Sequence, residues 1–308
     1  MKSIVVIASI GLQMNTLPKN MEKAGENVVN IETIFSVTTV VYVSLNQKRS
    51  QLKKIQRTYK MIFATGDIHS DPRRLGVNNF YEQKEMTKND YVIVLGDFGL
   101  VWNKDKESKY EKHWLNWLEE KPFTTLFVDG NHENFDRLNS YPVEEWKGGE
   151  IQRIRPSVIH LMRGQVFNIN GKVIFTFGGA QSTDINDGVL EIGDRRIKSW
   201  KKDLSKVFRV NHLSWWKEEL PTSIEMQEGL DNLDKVNWKV DFVLSHCCAS
   251  STQILLSQGW YKPDRLTSYF EDIRAKLEFK KWMFGHYHNN KAINDKEILI
   301  YEQIIRIE

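Results

Sequence analysis

At 308 residues, with 41% hydrophobic side chains and ten Trp, the chain can fill the core of one large domain or two small ones, which excludes disorder as its general state. Its net charge of +3 is unevenly placed: residues 1–60 hold nine Lys/Arg against three Asp/Glu, leaving 34 against 37 in the remainder. A slightly acidic main body disfavours a nuclease that grips a long duplex.

In chain order, Lys2 and the apolar Ile4 to Leu12 form a short basic-then-apolar pattern, but Gln13 to Asn20 offers no small-x-small cleavage site. The longest apolar run, Ile34 to Leu45, is about half the roughly 20 residues needed to span a bilayer, so no transmembrane segment is expected. Being rich in Val and Thr, it reads as a strand. Gln47 to Lys60 is strongly basic and reads as a solvated helix or linker. Residues 1–60 are therefore expected to be a basic N-terminal extension, its structure not specified by the sequence, joined to one domain over residues 61–308.

Met61 opens the first convincing strand, MIFATGD. Further strand-length runs are Tyr91 to Leu95, Thr124 to Val128, Asp241 to Leu244 and Lys281 to Phe284. Between them, Glu107 to Glu119 and Arg265 to Lys276 have helical apolar spacing, so the alternation predicts an α/β domain. Phe167 to Phe177 carries Asn170-Gly171 between apolar runs and predicts a hairpin with a two-residue turn. Glu297 to Ile307 is another β-branched run, and the two together predict more than one sheet, with antiparallel as well as parallel pairing. The only cysteines, Cys247 and Cys248, are adjacent. A disulfide between neighbours is strained and staples nothing distant, so two buried thiols in a reduced, cytoplasmic setting are expected.

Five clusters concentrate acid, amide and imidazole groups after predicted strands: GDIH (66–69), GDFG (96–99), GNHE (130–133), SH (245–246) and GHYH (285–288). Five of the eight histidines fall inside them. Residues two apart on an extended segment point to one side, so Asp67 with His69, and His286 with His288, each offer two donors to one place. The glycines are expected to let the chain turn at the strand end and approach a ligand closely. In open sheets, sites assemble at the carboxyl ends of strands.

Any one cluster alone is ordinary turn chemistry; their conjunction is metal-ligand patterning. The donor mixture of Asp67, His69, Asp97, Asn131, His246, His286 and His288 suits Mn, Fe or Zn better than Ca or Mg, and seven donors are too many for one ion and suit two that share a carboxylate. Without cysteine in the set, a structural zinc site is disfavoured. Two ions side by side activate a water between them and clamp a phosphoryl centre. His113, His160 and His212 lie outside the clusters and are assigned nothing. Arg73 and Arg74 are expected to be solvated rather than on a phosphate, and Trp102, Trp114 and Trp117 to pack in the core rather than stack a base.

The ordered set DxH, GD, GNHE, H, GHxH resembles the metallophosphoesterase (calcineurin-like) superfamily over most of residues 61–308. The resemblance implies a four-layer α/β/β/α sandwich with two mixed β-sheets. It implies that Asp67, His69 and His288 hold one divalent transition-metal ion and Asn131, His246 and His286 the other, with Asp97 bridging. It also implies that His132 is the catalytic histidine, protonating the leaving oxygen or steadying the phosphate. The implied activity is hydrolysis of a phosphorylated substrate by a hydroxide bridging the ions. A phosphodiesterase or nuclease of the same superfamily, or an inactive metal-binding scaffold, are the alternatives, with nucleic acid not favoured as partner. The sequence departs from its relatives in three places. Ser70 stands where glycine is common, GDFG lacks the Asp-Arg-Gly that supplies the serine/threonine phosphatase arginine clamp, and the two cysteines follow His246.

Overall fold

The computed structural model describes residues 60–307. The strand expected over 34–45, the basic stretch and the rest of the N-terminal extension lie outside the described residues.

The first sheet begins with β1 (Ile62–Thr65), β2 (Tyr91–Leu95), β3 (Thr124–Val128), β4 (Val143–Trp146), β5 (Gly149–Arg155) and β6 (Val158–Leu161). The second begins with the hairpin β7 (Gln165–Ile169) and β8 (Lys172–Phe177). A small parallel pair follows, β9 (Gly188–Leu190) with β10 (Phe208–Val210). The chain then adds β11 (Phe242–Ser245), β12 (Lys281–Phe284), β13 (Lys291–Ala292) and β14 (Glu297–Leu299) to the second sheet, and returns β15 (Ile304–Arg306) to the first.

The orders are β15-β1-β2-β3-β6-β5-β4 and β13-β14-β12-β11-β8-β7. Both sheets have a parallel centre, β1-β2-β3-β6 and β14-β12-β11-β8, flanked by antiparallel edges. The parallel centres place many strand ends, and the loops that follow them, along one side of each sheet, the geometry a strand-end site requires.

The central strands are buried on both faces, and the period-two alternation divides their side chains between two cores. Ile62, Ala64, Ile93 and Leu95 from the first sheet join Ile174, Phe242, Leu244 and Met283 from the second in a core between the sheets. Phe63, Val92 and Val94 point the other way, onto Leu115 and Leu118 of helix α1 (Lys109–Glu119). Phe175, Phe177, Val243 and Phe284 pack on Leu266, Phe270 and Ile273 of the helix Arg265–Lys276. Helix, sheet, sheet, helix is the expected four-layer arrangement.

Three local details refine the sequence reading. Helix α1 starts at Lys109 rather than Glu107, because Ser108 and Glu111 form a capping box. The Asn170-Gly171 turn has both residues at positive φ, +57° and +81°, as a type I′ hairpin turn demands. The run 297–307 is divided between the two sheets, with Tyr301 in the crossing segment accepting the Gly66 N–H on its carbonyl at 3.0 Å.

Candidate metal centre

All five clusters follow parallel strands: 66–69 after β1, 96–99 after β2, 130–133 after β3, His246 after β11, and 285–288 after β12. Asp67 and Asp97 are buried, and each has one oxygen fixed by an amide. Asp67 Oδ1 accepts the His286 N–H at 3.0 Å, and Asp97 Oδ1 accepts the His132 N–H at 2.8 Å. The clusters thus hold one another's carboxylates in place.

The donor atoms gather in two adjoining groups. In the first, His69 Nε2 lies 2.9 Å from His288 Nε2 and 3.8 Å from both Asp67 Oδ2 and Asp97 Oδ2, while His288 Nε2 is 3.1 Å from Asp67 Oδ2. These four ligand atoms lie within 4.8 Å of one another. In the second group, His246 Nε2 is 3.3 Å from Asp97 Oδ1 and 3.3 Å from Asn131 Oδ1, and the His286 ring stands 5.0 Å from that of His246. Asp97 therefore turns one oxygen to each group.

His246 Nδ1 donates to the Leu95 carbonyl at 2.7 Å, which fixes the ring and leaves Nε2 aimed at the donor atoms. Asn131 is fixed by a hydroxyl: its Nδ2 donates to Ser182 Oγ at 3.3 Å, and Ser182 Oγ donates to Glu219 Oε2 at 2.6 Å. With the amide nitrogen so engaged, the oxygen faces His246.

The local electrostatics are those of a site shaped for positive charge. Burial opposes protonation of His246, but the carboxylates of Asp97 and Asp67 outweigh it and its pKa rises to about 9. Burial and the neighbouring His246 push His286 down to about 4. Burial also lowers His69, whereas the Asp67 carboxylate raises His288. Asp97 is held well below the carboxylate range despite its burial by His246, His132 and His69. Asp67 Oδ2 is buried and, among the described residues, makes no well-formed hydrogen bond, with His288 Nε2 the imidazole nitrogen beside it at 3.1 Å. A divalent cation satisfies this arrangement of orphaned oxygen and converging imidazole and carboxylate lone pairs, so the residues fit a metal.

The backbone here is unusual. His69, Asp97, His286 and His288 all lie at positive φ, between +42° and +68°. Such conformations cost about 1–3 kcal/mol each and cluster at functional sites. Ser70, at φ +62°, also adopts the left-handed form where glycine is common, with its Oγ donating to the His69 carbonyl at 2.6 Å.

The expected role of the glycines needs correction. Gly96 has positive φ, but Gly130 and Gly285 do not; what they supply is space. A Cβ on Gly130 would stand 2.1 Å from Asp97 Oδ1, one on Gly285 2.2 Å from Asp67 Oδ1, and one on Gly96 2.0 Å from His246 Nδ1. Arg74 also differs from expectation. It is not solvated but braces the site, with Nη2 donating to the Asp67 carbonyl at 2.8 Å and Nη1 to the Tyr301 carbonyl. Arg73 is exposed and pairs with Asp71.

His132 borders the first group, its ring 5.1 Å from that of His69 and 5.9 Å from that of Trp102. Trp102, and Trp114 and Trp117 of α1, are partly buried and pack against the core. Both cysteines are free and buried; burial pushes the Cys248 thiol up to about 12, away from thiolate reactivity.

Several residues beyond the donors support the site. Glu133, the last residue of GNHE, is fully buried and accepts the Phe98 N–H at 2.8 Å and the Gly99 N–H at 3.3 Å, holding the GDFG turn. Asp129 accepts from Arg163 Nε at 2.9 Å and Nη2 at 2.6 Å, with His160 Nε2 at 3.2 Å. His160 is thus a hydrogen-bonded core histidine, as its position outside the clusters suggests. A cleft of about 650 Å³ opens over the donor groups, with Asp97, Asn131, His132, His286 and His288 in its wall.

A model of the calcineurin-like phosphoesterase family matches residues 60–290. The chain is also similar to the lariat debranching enzyme of Schizosaccharomyces pombe, with 26% identity over 117 residues. That likeness covers 34% of this chain and 24% of the relative, so the chain spans about a quarter of the curated relative it matches.

Proposed function

Because the chain belongs to the calcineurin-like phosphoesterase family, we propose that it is a metal-dependent hydrolase of phosphate esters. The observation that carries this reading is Asp97, whose two oxygens face separate donor groups, His246 at 3.3 Å and His69 at 3.8 Å. In this reading Asp67, His69 and His288 hold one divalent ion, Asn131, His246 and His286 a second, and Asp97 both, with Mn, Fe or Zn suited to the donor set. When bound, such a pair would supply positive charge against the phosphate oxygens and activate a water as the nucleophile.

The chain's own residues do the rest. The His132 ring, on the cleft wall beside His69, gives the leaving oxygen a proton as its bond to phosphorus breaks. Its backbone N–H meanwhile keeps Asp97 oriented. Buried amides, the Leu95 carbonyl and Ser182 hold the donors in position, so little reorganisation accompanies binding. The domain responsible is taken to be residues 61–308. Two buried free thiols support the reduced, cytoplasmic setting expected for it, and no helix among the described residues is long and apolar enough to cross a membrane.

Metal analysis of the purified protein, coupled to hydrolysis of 4-nitrophenyl phosphate and bis(4-nitrophenyl) phosphate, tests the reading. Turnover of the monoester over the diester supports a phosphatase. The reverse supports a phosphodiesterase, the alternative within the same family. No turnover with Mn, Fe, Co, Ni or Zn leaves an inactive scaffold.

A further inference from the structure

The cleft over the donor groups has a second end whose chemistry is unlike the first. Beyond the histidines its wall is formed by Leu256, Ser257, Trp260 and Tyr261, from the last turn of the helix Ser250–Ser257 and the loop after it. Trp260 is 85% exposed and Tyr261 41%. An indole left in water forgoes the burial of an aromatic surface of roughly 150–250 Å². Trp260 makes no ring contact among the described residues, whereas the Tyr261 ring lies 6.3 Å from that of Tyr287, the residue between His286 and His288. An aromatic path thus runs from the donor groups to the rim.

The loop that carries these rings is held in shape. Gln258 and Gly259 are both at positive φ and reverse the chain at the helix end. The Trp260 N–H then donates to the Ser257 carbonyl and the Tyr261 N–H to Ser257 Oγ, each at 3.1 Å. Backbone fixed in this way presents the rings with little ordering left to do on binding.

Charge narrows what the rings can receive. Among the described residues no Lys or Arg lines the cleft, and the one acidic residue lining it outside the donor groups, Asp184, is paired with Arg209. A strand of many phosphates needs a basic track beside its stacking rings. The cleft as lined by the described residues has the rings without the track, in a volume of about 650 Å³, within the range of sites for one small molecule.

We infer that Trp260 and Tyr261 form a subsite for a flat aromatic group esterified to the phosphate, so that the preferred substrate is a single small aromatic phosphoester, a nucleotide or an aryl phosphate, and not a polynucleotide or an alkyl phosphate. This inference rests on the phosphoester reading above. The phosphoryl end is seated at the donor groups and the ring lies against Trp260, with Tyr261 bordering it.

The test compares wild type, Trp260→Ala and Trp260→Phe on adenosine monophosphate, 4-nitrophenyl phosphate, glycerol phosphate and a short single-stranded oligonucleotide, measuring KM and kcat and, by calorimetry, equilibrium binding of each. The exposed position of Trp260 leaves folding intact, checked by thermal melting. Stacking of this kind is lost on truncation to alanine with an effect of about tenfold. The expected result is a tenfold fall in the preference for aromatic over alkyl esters in Trp260→Ala, expressed in KM rather than kcat and restored by Trp260→Phe. A preference for adenosine monophosphate over nitrophenyl phosphate identifies the ring as a nucleobase, and the opposite identifies an aryl group. An unchanged preference in Trp260→Ala, or tighter use of the oligonucleotide than of any small ester, overturns the inference while leaving the phosphoesterase reading standing. Aromatic ligands that bind in a Trp260-dependent way but are never hydrolysed overturn that reading and retain the subsite.

Discussion

Gly130 leaves open the place where a methyl group would stand 2.1 Å from Asp97 Oδ1 and 2.3 Å from the Asp97 amide nitrogen. Gly285 does the same for Asp67 Oδ1 at 2.2 Å. Each glycine belongs to one donor cluster and makes room for the carboxylate of another, so the clusters interlock through the absence of side chains. Gly130→Ala and Gly285→Ala are expected to displace a carboxylate. Because backbone atoms are among the groups met, relaxation is limited and a stability loss of about 1–3 kcal/mol follows. Thermal melting should show a fall of several degrees, and metal analysis a loss of bound ion, in both variants.

Glu133 is the support of the GDFG turn. Glu133→Ala leaves the buried Phe98 and Gly99 amides unpaired, at about 1–3 kcal/mol for each group. Glu133→Gln keeps one oxygen as acceptor and should lose less. Denaturant midpoints measured on both variants give the order wild type, Gln, Ala.

Ser182 sets which end of the Asn131 amide faces His246. Ser182→Ala frees the amide to rotate and is expected to weaken one ion of the pair by about 10–100-fold, the usual cost of removing a group that orients a ligand. Calorimetric titration with Mn should change from two comparable binding events to one tight and one weak.

How much of this was legible in the sequence depends on whether a residue acts by type or by placement. The seven donors carry their chemistry in their names and stand at strand ends, so pattern brought them forward; the role of His132 came only from the family resemblance, and the second sheet was signalled by the 167–177 hairpin and the run 297–307. Asp129, Arg163, Glu219 and Ser182 have no spacing signal, since their partners are 34 to 51 residues away. Only the folded chain brings them together. The positive φ of His69, Asp97, His286 and His288 was hidden because left-handed backbone is ordinarily read from glycine. The run 297–307 looked like one strand because its β-branched residues serve two sheets in succession.

Glu111 gives a pH dependence remote from the donor groups. Burial disfavours its charge, but the Ser108, Asn103 and Trp102 amides and Arg137 overcome this and hold its pKa below the usual glutamate value. A carboxyl whose folded pKa is depressed contributes stability above its unfolded pKa and loses it as pH falls through the folded value. Unfolding free energy should therefore decline on acidification from just above the unfolded glutamate range, and Glu111→Gln should flatten that part of the profile.

The central claim, that seven side chains hold two ions through a shared carboxylate, is tested most directly by the metal content of Asp97→Asn beside wild type and His132→Ala. Wild type and His132→Ala loaded with Mn should each retain two ions per chain, with turnover much reduced in His132→Ala. Asp97→Asn, keeping shape but losing the charge between the groups, should lose at least one ion and its activity with it. A wild-type chain that retains no ion after loading, or an Asp97→Asn chain that retains two, would contradict the claim.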